Sequence, residues 1–196
     1  MLIGIDFDNT LVSYDRLFHR LATEQGLLPD GFPVHKVLVR DHLRATGREP
    51  LWTAMQGVAY GLRMQEAEPY PGARRALSRL SQAGHQLRII SHKTRHPIAG
   101  PEYDLHAAAR HWLEARGFWN PDTGLGRENV FFEQTKDAKW SRIAIEGCAV
   151  FIDDLPEILQ APSFPAGVRK ILFDPEGVHP RLEGIEPLVA WEDLML

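Results

Sequence analysis

The chain opens Met1-Leu2-Ile3-Gly4-Ile5-Asp6-Phe7-Asp8-Asn9-Thr10. Residues 2–7 form a nearly continuous apolar run, which suits a strand of a parallel sheet covered by helices on both faces. Asp6 and Asp8 come at its carboxyl end, two residues apart, so the pleat points both carboxylates the same way. Two like charges held together in a mostly buried position repel and lose hydration, and a stable fold keeps such a pair with a cation or a shared proton. A calcium loop beginning at Asp6 would need Gly in its sixth place and Glu in its twelfth; those places hold Leu11 and Leu17.

Four later stretches read the same way: residues 86–91, 129–132, 149–153 and 169–173 are short, β-branched or aromatic, and bounded by Gly, Pro or Asp. Helical periodicity fills the intervals at 73–83, 105–116 and 137–146. This alternation of strand and helix predicts an α/β fold with five strands. The interval 13–70 breaks the pattern. It holds three helix-length stretches, 15–26, 34–46 and 51–64, and no convincing strand, and Pro69-Tyr70-Pro71-Gly72 closes it with turn chemistry. The expected organisation is a core of residues 1–12 and 71–196 with residues 13–70 as an inserted helical cap.

Composition narrows the function classes. The 196 residues are 44% hydrophobic and 24% charged, with a formal net charge of −4, an ordinary globular balance for one domain plus an insertion. Without a basic run or stripe, the electrostatic footprint of a nucleic-acid binder is missing. Cys148 is the single cysteine, which removes intramolecular disulfides and cysteine-based zinc sites and suits a cytoplasmic protein. The first residues carry neither a basic n-region nor a membrane-length apolar run. No P-loop, dinucleotide fingerprint or serine-hydrolase elbow occurs.

A second acidic pair, Asp153-Asp154, follows the apolar residues Ala149-Val150-Phe151-Ile152. In a parallel sheet all strand carboxyl ends share one edge, so four carboxylates converge there. Such an oxygen-rich site suits Mg²⁺. Ser91 ends another strand and can donate to a phosphoryl oxygen. Lys136 and Lys139 open the helix capped by Thr135, so one ammonium can lie over the same edge. The segment His92-Lys93-Thr94-Arg95-His96 reads equally as an anion-recognising loop or a solvated basic one. In the insertion, Trp52, Met55 and Val58 read as core, whereas Gln56, Tyr60 and Arg63 share a helix face and are candidate substrate contacts.

In this order, Asp6-x-Asp8-x-Thr10, the strand-terminal Ser91, a lysine near a helix start and Asp153-Asp154 resemble the four motifs of the haloacid dehalogenase (HAD) superfamily over residues 1–174. The resemblance implies a Rossmann-like parallel five-stranded sheet ordered 3-2-1-4-5, with a small helical C1-type cap. It implies a Mg²⁺-dependent phosphatase with Asp6 as the nucleophile that becomes an aspartyl phosphate and Asp8 as general acid, then base. It implies Mg²⁺ held by Asp6, Asp8 through its carbonyl, and Asp153, with Asp154 acting through water. Ser91 and Lys139 would hold phosphoryl oxygens, supported by Asn9 and Thr10, with His92 and Lys136 as further phosphate contacts. Lys139 is preferred over Lys136 because it resembles the lysine of nucleotidase-like members, a few residues past a Thr cap.

The expected partner is a small phosphorylated metabolite, a sugar phosphate or a nucleotide, rather than a nucleic-acid polymer or a membrane. The sequence favours neither monomer nor homodimer. A phosphomutase and a noncatalytic or phosphoaccepting module are the competing readings. A phosphoaccepting receiver would place its phosphorylated Asp after the third strand and Lys after the fifth, where Glu133-Gln134 and Asp174-Pro175 stand.

Overall fold

The computed structural model describes residues 1–196. In chain order the elements are β1 (Leu2–Ile5), β2 (Val12–Ser13), α1 (Asp15–Glu24), α2 (Lys36–Ala45), α3 (Glu49–Gly57), β3 (Glu68–Pro69), α4 (Ala73–Gln82), β4 (Gln86–His92), α5 (Leu105–Ala115), β5 (Val130–Glu133), α6 (Lys136–Glu146), β6 (Val150–Asp153), α7 (Pro156–Leu159), β7 (Arg169–Phe173) and β8 (Ile185–Leu188). No helix is long and apolar enough to cross a membrane.

The chain forms two compact units: Met1–Val12, Pro69–Lys93 and Arg116–Leu196 make the first, Ser13–Glu68 and Thr94–Ala115 the second. The first is built on a six-stranded sheet ordered β5-β4-β1-β6-β7-β8, parallel throughout. Its first five strands are those read from the sequence, in the expected order. The sixth, β8, extends the β7 edge and was not expected. Its sequence, Ile-Glu-Pro-Leu, is short and contains Pro187, a residue tolerated on an edge strand because one side of such a strand has no ladder to complete.

Burial follows the apolar runs. Ile3, Ile5, Ile89, Ile90, Phe151 and Ile152 are fully buried, as expected for central strands covered on both faces. On one face Ile90, Phe151 and Leu172 pack with Ile143 of α6, Leu159 of α7 and Cys148. Cys148 is a packing residue, and burial pushes its thiol up to about 12.

The second unit contains α1, α2, α3 and α5. The single helix expected over 51–64 is instead α3, a π-helical turn over Val58–Leu62 and a 3₁₀ turn over Met64–Glu66. Trp52 and Met55 are buried as expected, and Tyr14, Phe18 and Leu43 join them. Val58 is only half-buried. Residues 94–115, read from the sequence as core, group here instead. Trp112 of α5 donates its indole N–H to the Ala67 carbonyl at 2.8 Å, and the helix buries Leu105, Ala109 and Trp112. An amphipathic helix between two strands does not reveal from its own pattern which unit takes its apolar face.

Gly4 shows how tightly the sheet packs. A Cβ there would lie 2.5 Å from a Phe151 ring carbon and 2.8 Å from the Cys148 sulfur. Gly4→Ala is expected to destabilise the protein by about 1–3 kcal/mol through overpacking, read as a lowered midpoint in urea unfolding; an unchanged midpoint would contradict this packing.

Candidate active site

Strand register brings the acids together. Ile5 pairs with Ile152 and with Ile89 on its two neighbours, and the Asp6 amide continues the ladder by donating to the Ile152 carbonyl at 2.8 Å. Asp6 therefore stands beside the end of β6, where Asp153 is fully buried, while Ser91, 1% exposed, is the last residue but one of β4 on the other side. The chain then turns sharply: the Leu11 and Val12 amides both donate to the Phe7 carbonyl, at 3.0 and 3.2 Å. Asn9 makes this turn with φ at 58°, left-handed backbone that asparagine tolerates better than most residues. The turn buries Thr10, whose indole-capped carbonyl accepts from Trp191 at 3.0 Å and whose hydroxyl donates to Asp154 at 3.3 Å.

Lys139 lies between two of the acids. Its ammonium donates to Asp6 at 2.5 Å and to Asp153 at 2.6 Å, and its side chain is 1% exposed. Thr135 caps α6 by accepting from the Ala138 amide at 3.1 Å, and Lys139 shares the buried face of that helix with Ile143. Lys136, the other candidate, is exposed and pairs at 2.7 Å with Glu157. Of the two lysines, the structure brings only Lys139 to the carboxylates.

The oxygens of Asp6, Asp153 and Asp154 lie within 4.8 Å of one another. At that spacing one oxygen from each could ligate a single ion. The donor set is all oxygen, as a hard cation requires. Charge points the same way. Asp6, Asp153 and Asp154 carry three formal negative charges against the one positive charge of Lys139, leaving a deficit of two that one divalent ion balances. Without an ion the strain falls on Asp6: burial pushes its carboxyl up to about 7 against the pull of Lys139, and Asp153 adds to the rise. Burial works against the Lys139 ammonium, but the two carboxylates outweigh it and hold its pKa above the ordinary lysine value.

The remaining candidates fall differently. His92 is half-buried and its Nε2 lies 3.2 Å from the Gln134 carbonyl; burial pulls its imidazole below the ordinary value, so it is a poor anion contact. The residue that reaches the acids from this segment is Lys93. Its ammonium donates to both Asp8 oxygens, at 3.0 and 2.9 Å. Sequence reasoning read 92–96 as a loop, whereas β4 extends through His92; two residues past Ser91, Lys93 falls on the same side.

In the second unit, Gln56 and Tyr60 line a cavity of about 130 Å³ with Thr53, Gly57, Thr94, Pro97, Ile98 and Leu105. Arg63 does not join them. The wide π turn shifts it around the axis, and its guanidinium pairs with Glu66 at 2.6 Å and with Glu24. Its expected role as a substrate contact gives way to a bond between helical segments.

No protein-family model matches the chain, and no curated protein matches it. Solved structures do. A haloacid dehalogenase-like family hydrolase from Xanthomonas campestris is 14% identical, with a TM-score of 0.57 over 97% of this chain and 91% of that one. A dehalogenase is 14% identical, with a TM-score of 0.58 over 97% and 93%. A HAD-type hydrolase from Bacillus subtilis, bound to magnesium, is 14% identical, with a TM-score of 0.55 over 97% and 95%.

Two predictions follow from the buried charges. A carboxyl with a raised folded-state pKa binds its proton more tightly when folded, so its stabilising contribution is full below its ordinary value near 3.8 and is lost as pH rises through about 7. In EDTA, wild type should lose stability relative to Asp6→Asn between about pH 4 and pH 7, and parallel melting curves across that window would contradict the assignment. Lys139→Ala should cost about 3–5 kcal/mol by leaving buried carboxylates uncompensated, against at most about 1 kcal/mol for Lys136→Ala, both read from urea denaturation. At 14% identity the likenesses speak to architecture, and together with the sheet order they show that this chain has the haloacid dehalogenase-type fold.

Proposed function

We propose that the chain is a Mg²⁺-dependent phosphatase that hydrolyses a small phosphomonoester through an aspartyl phosphate on Asp6. The observation that carries this reading is the convergence of Asp6, Asp153 and Asp154 around a buried lysine. Asp8 is offset by two residues from the nucleophile.

In the first step a carboxylate oxygen of Asp6 bonds to phosphorus while the bond to the ester oxygen breaks, and Asp8 gives its proton to the departing alkoxide. In the second step Asp8 takes a proton from water as that water attacks phosphorus, and the Asp6–phosphorus bond breaks to release inorganic phosphate. Lys139 fixes the attacking carboxylate from one side. Ser91, near the end of β4, donates its hydroxyl to a phosphoryl oxygen in this reading. Mg²⁺ held by Asp6, Asp153 and Asp154 would supply charge neutralisation between the anionic nucleophile and the phosphoryl group.

Asp8 also separates this reading from dehalogenation. A departing halide needs no proton, so an acid–base group beside the nucleophile has no work there, whereas an alkoxide leaving group requires one. The second unit is the proposed cap. Its chain connections run from the ends of β1 and β4, and its helical bulk suits a small metabolite over a phosphoprotein. Gln56 and Tyr60 remain the candidates for contacts beyond the phosphate, on the cavity they line.

A metabolite panel assayed for phosphate release with Mg²⁺ should find turnover that EDTA abolishes. Asp6→Asn should lower kcat by at least about 1,000-fold while circular dichroism stays that of wild type; activity within tenfold of wild type in that variant would overturn the assignment of the nucleophile.

A further inference from the structure

Lys93 is the one buried cation of the first unit that the proposed chemistry leaves without work. Its side chain is 3% exposed, yet its ammonium reaches a carboxylate that is 20% exposed. It therefore approaches Asp8 from inside the protein. Both Asp8 oxygens accept from it, at 3.0 and 2.9 Å, a two-point contact that fixes the plane of the carboxylate as well as its position. The base of Lys93 is rigid: its amide donates to the Glu133 carbonyl at 2.8 Å, continuing the pairing of β4 with β5. The ammonium also lies 5.6 Å from the centroid of the Phe7 ring, which packs edge-on against Phe132 at 5.5 Å.

Asp8 is bridged to Val12 through its backbone, and the direction of its carboxylate is set by side-chain contacts, among them the two bonds from Lys93. It sits at the start of the turn that Asn9 makes in left-handed backbone, beyond the last residue of β1. A carboxylate on such a turn can populate several side-chain rotamers, and a general acid acts only when it lies within hydrogen-bond reach of the departing oxygen. Displacement of a reacting group by about 1 Å costs roughly 100-fold in rate.

We propose that Lys93 is the positioning residue for Asp8, holding the acid–base carboxylate from the sheet in the one orientation that serves the leaving group. The assignment rests on the phosphatase reading and adds to it a residue that acts through Asp8 rather than on the phosphoryl group. A lysine that instead held phosphate would act on every ester alike. In the first step, a lysine that positions the acid matters in proportion to the leaving group's need for a proton.

The test compares wild type, Lys93→Met, Lys93→Gln and Lys93→Arg on two esters, 4-nitrophenyl phosphate, whose phenolate departs without help, and glycerol 3-phosphate, whose alkoxide requires a proton. In single-turnover experiments Lys93→Met and Lys93→Gln should slow the first-step release of glycerol roughly 100-fold and that of 4-nitrophenolate less than about threefold, while the second step, in which Asp8 is the base, slows equally whichever ester was loaded. Lys93→Arg, which restores a two-point contact, should recover most of the loss. Adding Lys93→Met to Asp8→Ala should cost nothing further. Equal slowing of the two first steps, or a weakened affinity that accounts for the loss, would overturn the proposal. Crystal structures of the two uncharged variants provide a readout independent of turnover: Asp8 should be turned away or divided between rotamers, and an Asp8 carboxylate unchanged in place would also overturn it. A wild type inactive on the whole metabolite panel would instead remove the phosphatase reading itself, a result distinct from selective failure of the variants.

Discussion

The first unit depends on one arrangement of charge: the Lys139 ammonium held between the Asp6 and Asp153 carboxylates at the carboxyl edge of a parallel sheet. Each of these groups would be costly to bury alone. Together they are tolerable because β1 and β6 are adjacent and in register, and α6 delivers its lysine from a helix whose next turn is anchored in the core by Ile143. One ammonium does not neutralise two carboxylates: burial raises the Asp6 pKa in spite of Lys139, and the Asp153 charge adds to the rise. Function of the proposed kind follows from that unfinished neutralisation, since a site left with surplus negative charge and oxygen donors is one that a divalent cation completes.

Around this centre the sheet acts as a ruler. The end of β4 carries Ser91 and then Lys93 on the same side, and the turn after β1 carries Asp8 and Thr10. Thr10 links that turn to Asp154 and to the indole of Trp191. The left-handed Asn9 is the place where backbone strain accompanies this geometry, and it lies between the two residues proposed to handle the proton and to brace the ion's ligands.

Much of the first unit was legible because its physics is local. The two-residue offset of Asp6 and Asp8 follows from the pleat, and the convergence with Asp153-Asp154 follows from strands that all point one way. What the sequence left open needed tertiary information. Lys136 and Lys139 lie on the same first turn of α6, and only the packing of Ile143 separates the buried one from the exposed one. Lys93 was obscured because β4 runs one residue longer than its apolar run suggests. β8 was hidden by its length and by Pro187. In the second unit, Arg63 was misplaced because even helical spacing was assumed across residues 58–62, where the backbone widens into a π turn. The association of α5 with that unit rests on Trp112 and Ala67, a pairing that no periodicity encodes.

The central claim is that Asp6, Asp153 and Asp154 share one divalent ion. Calorimetric titration of the EDTA-treated, dialysed protein with Mg²⁺ tests it most directly. The account predicts saturable binding of one ion per chain that Asp153→Asn weakens by at least tenfold while the variant stays folded. Absence of binding at millimolar Mg²⁺, or binding that Asp153→Asn leaves unchanged, would contradict it.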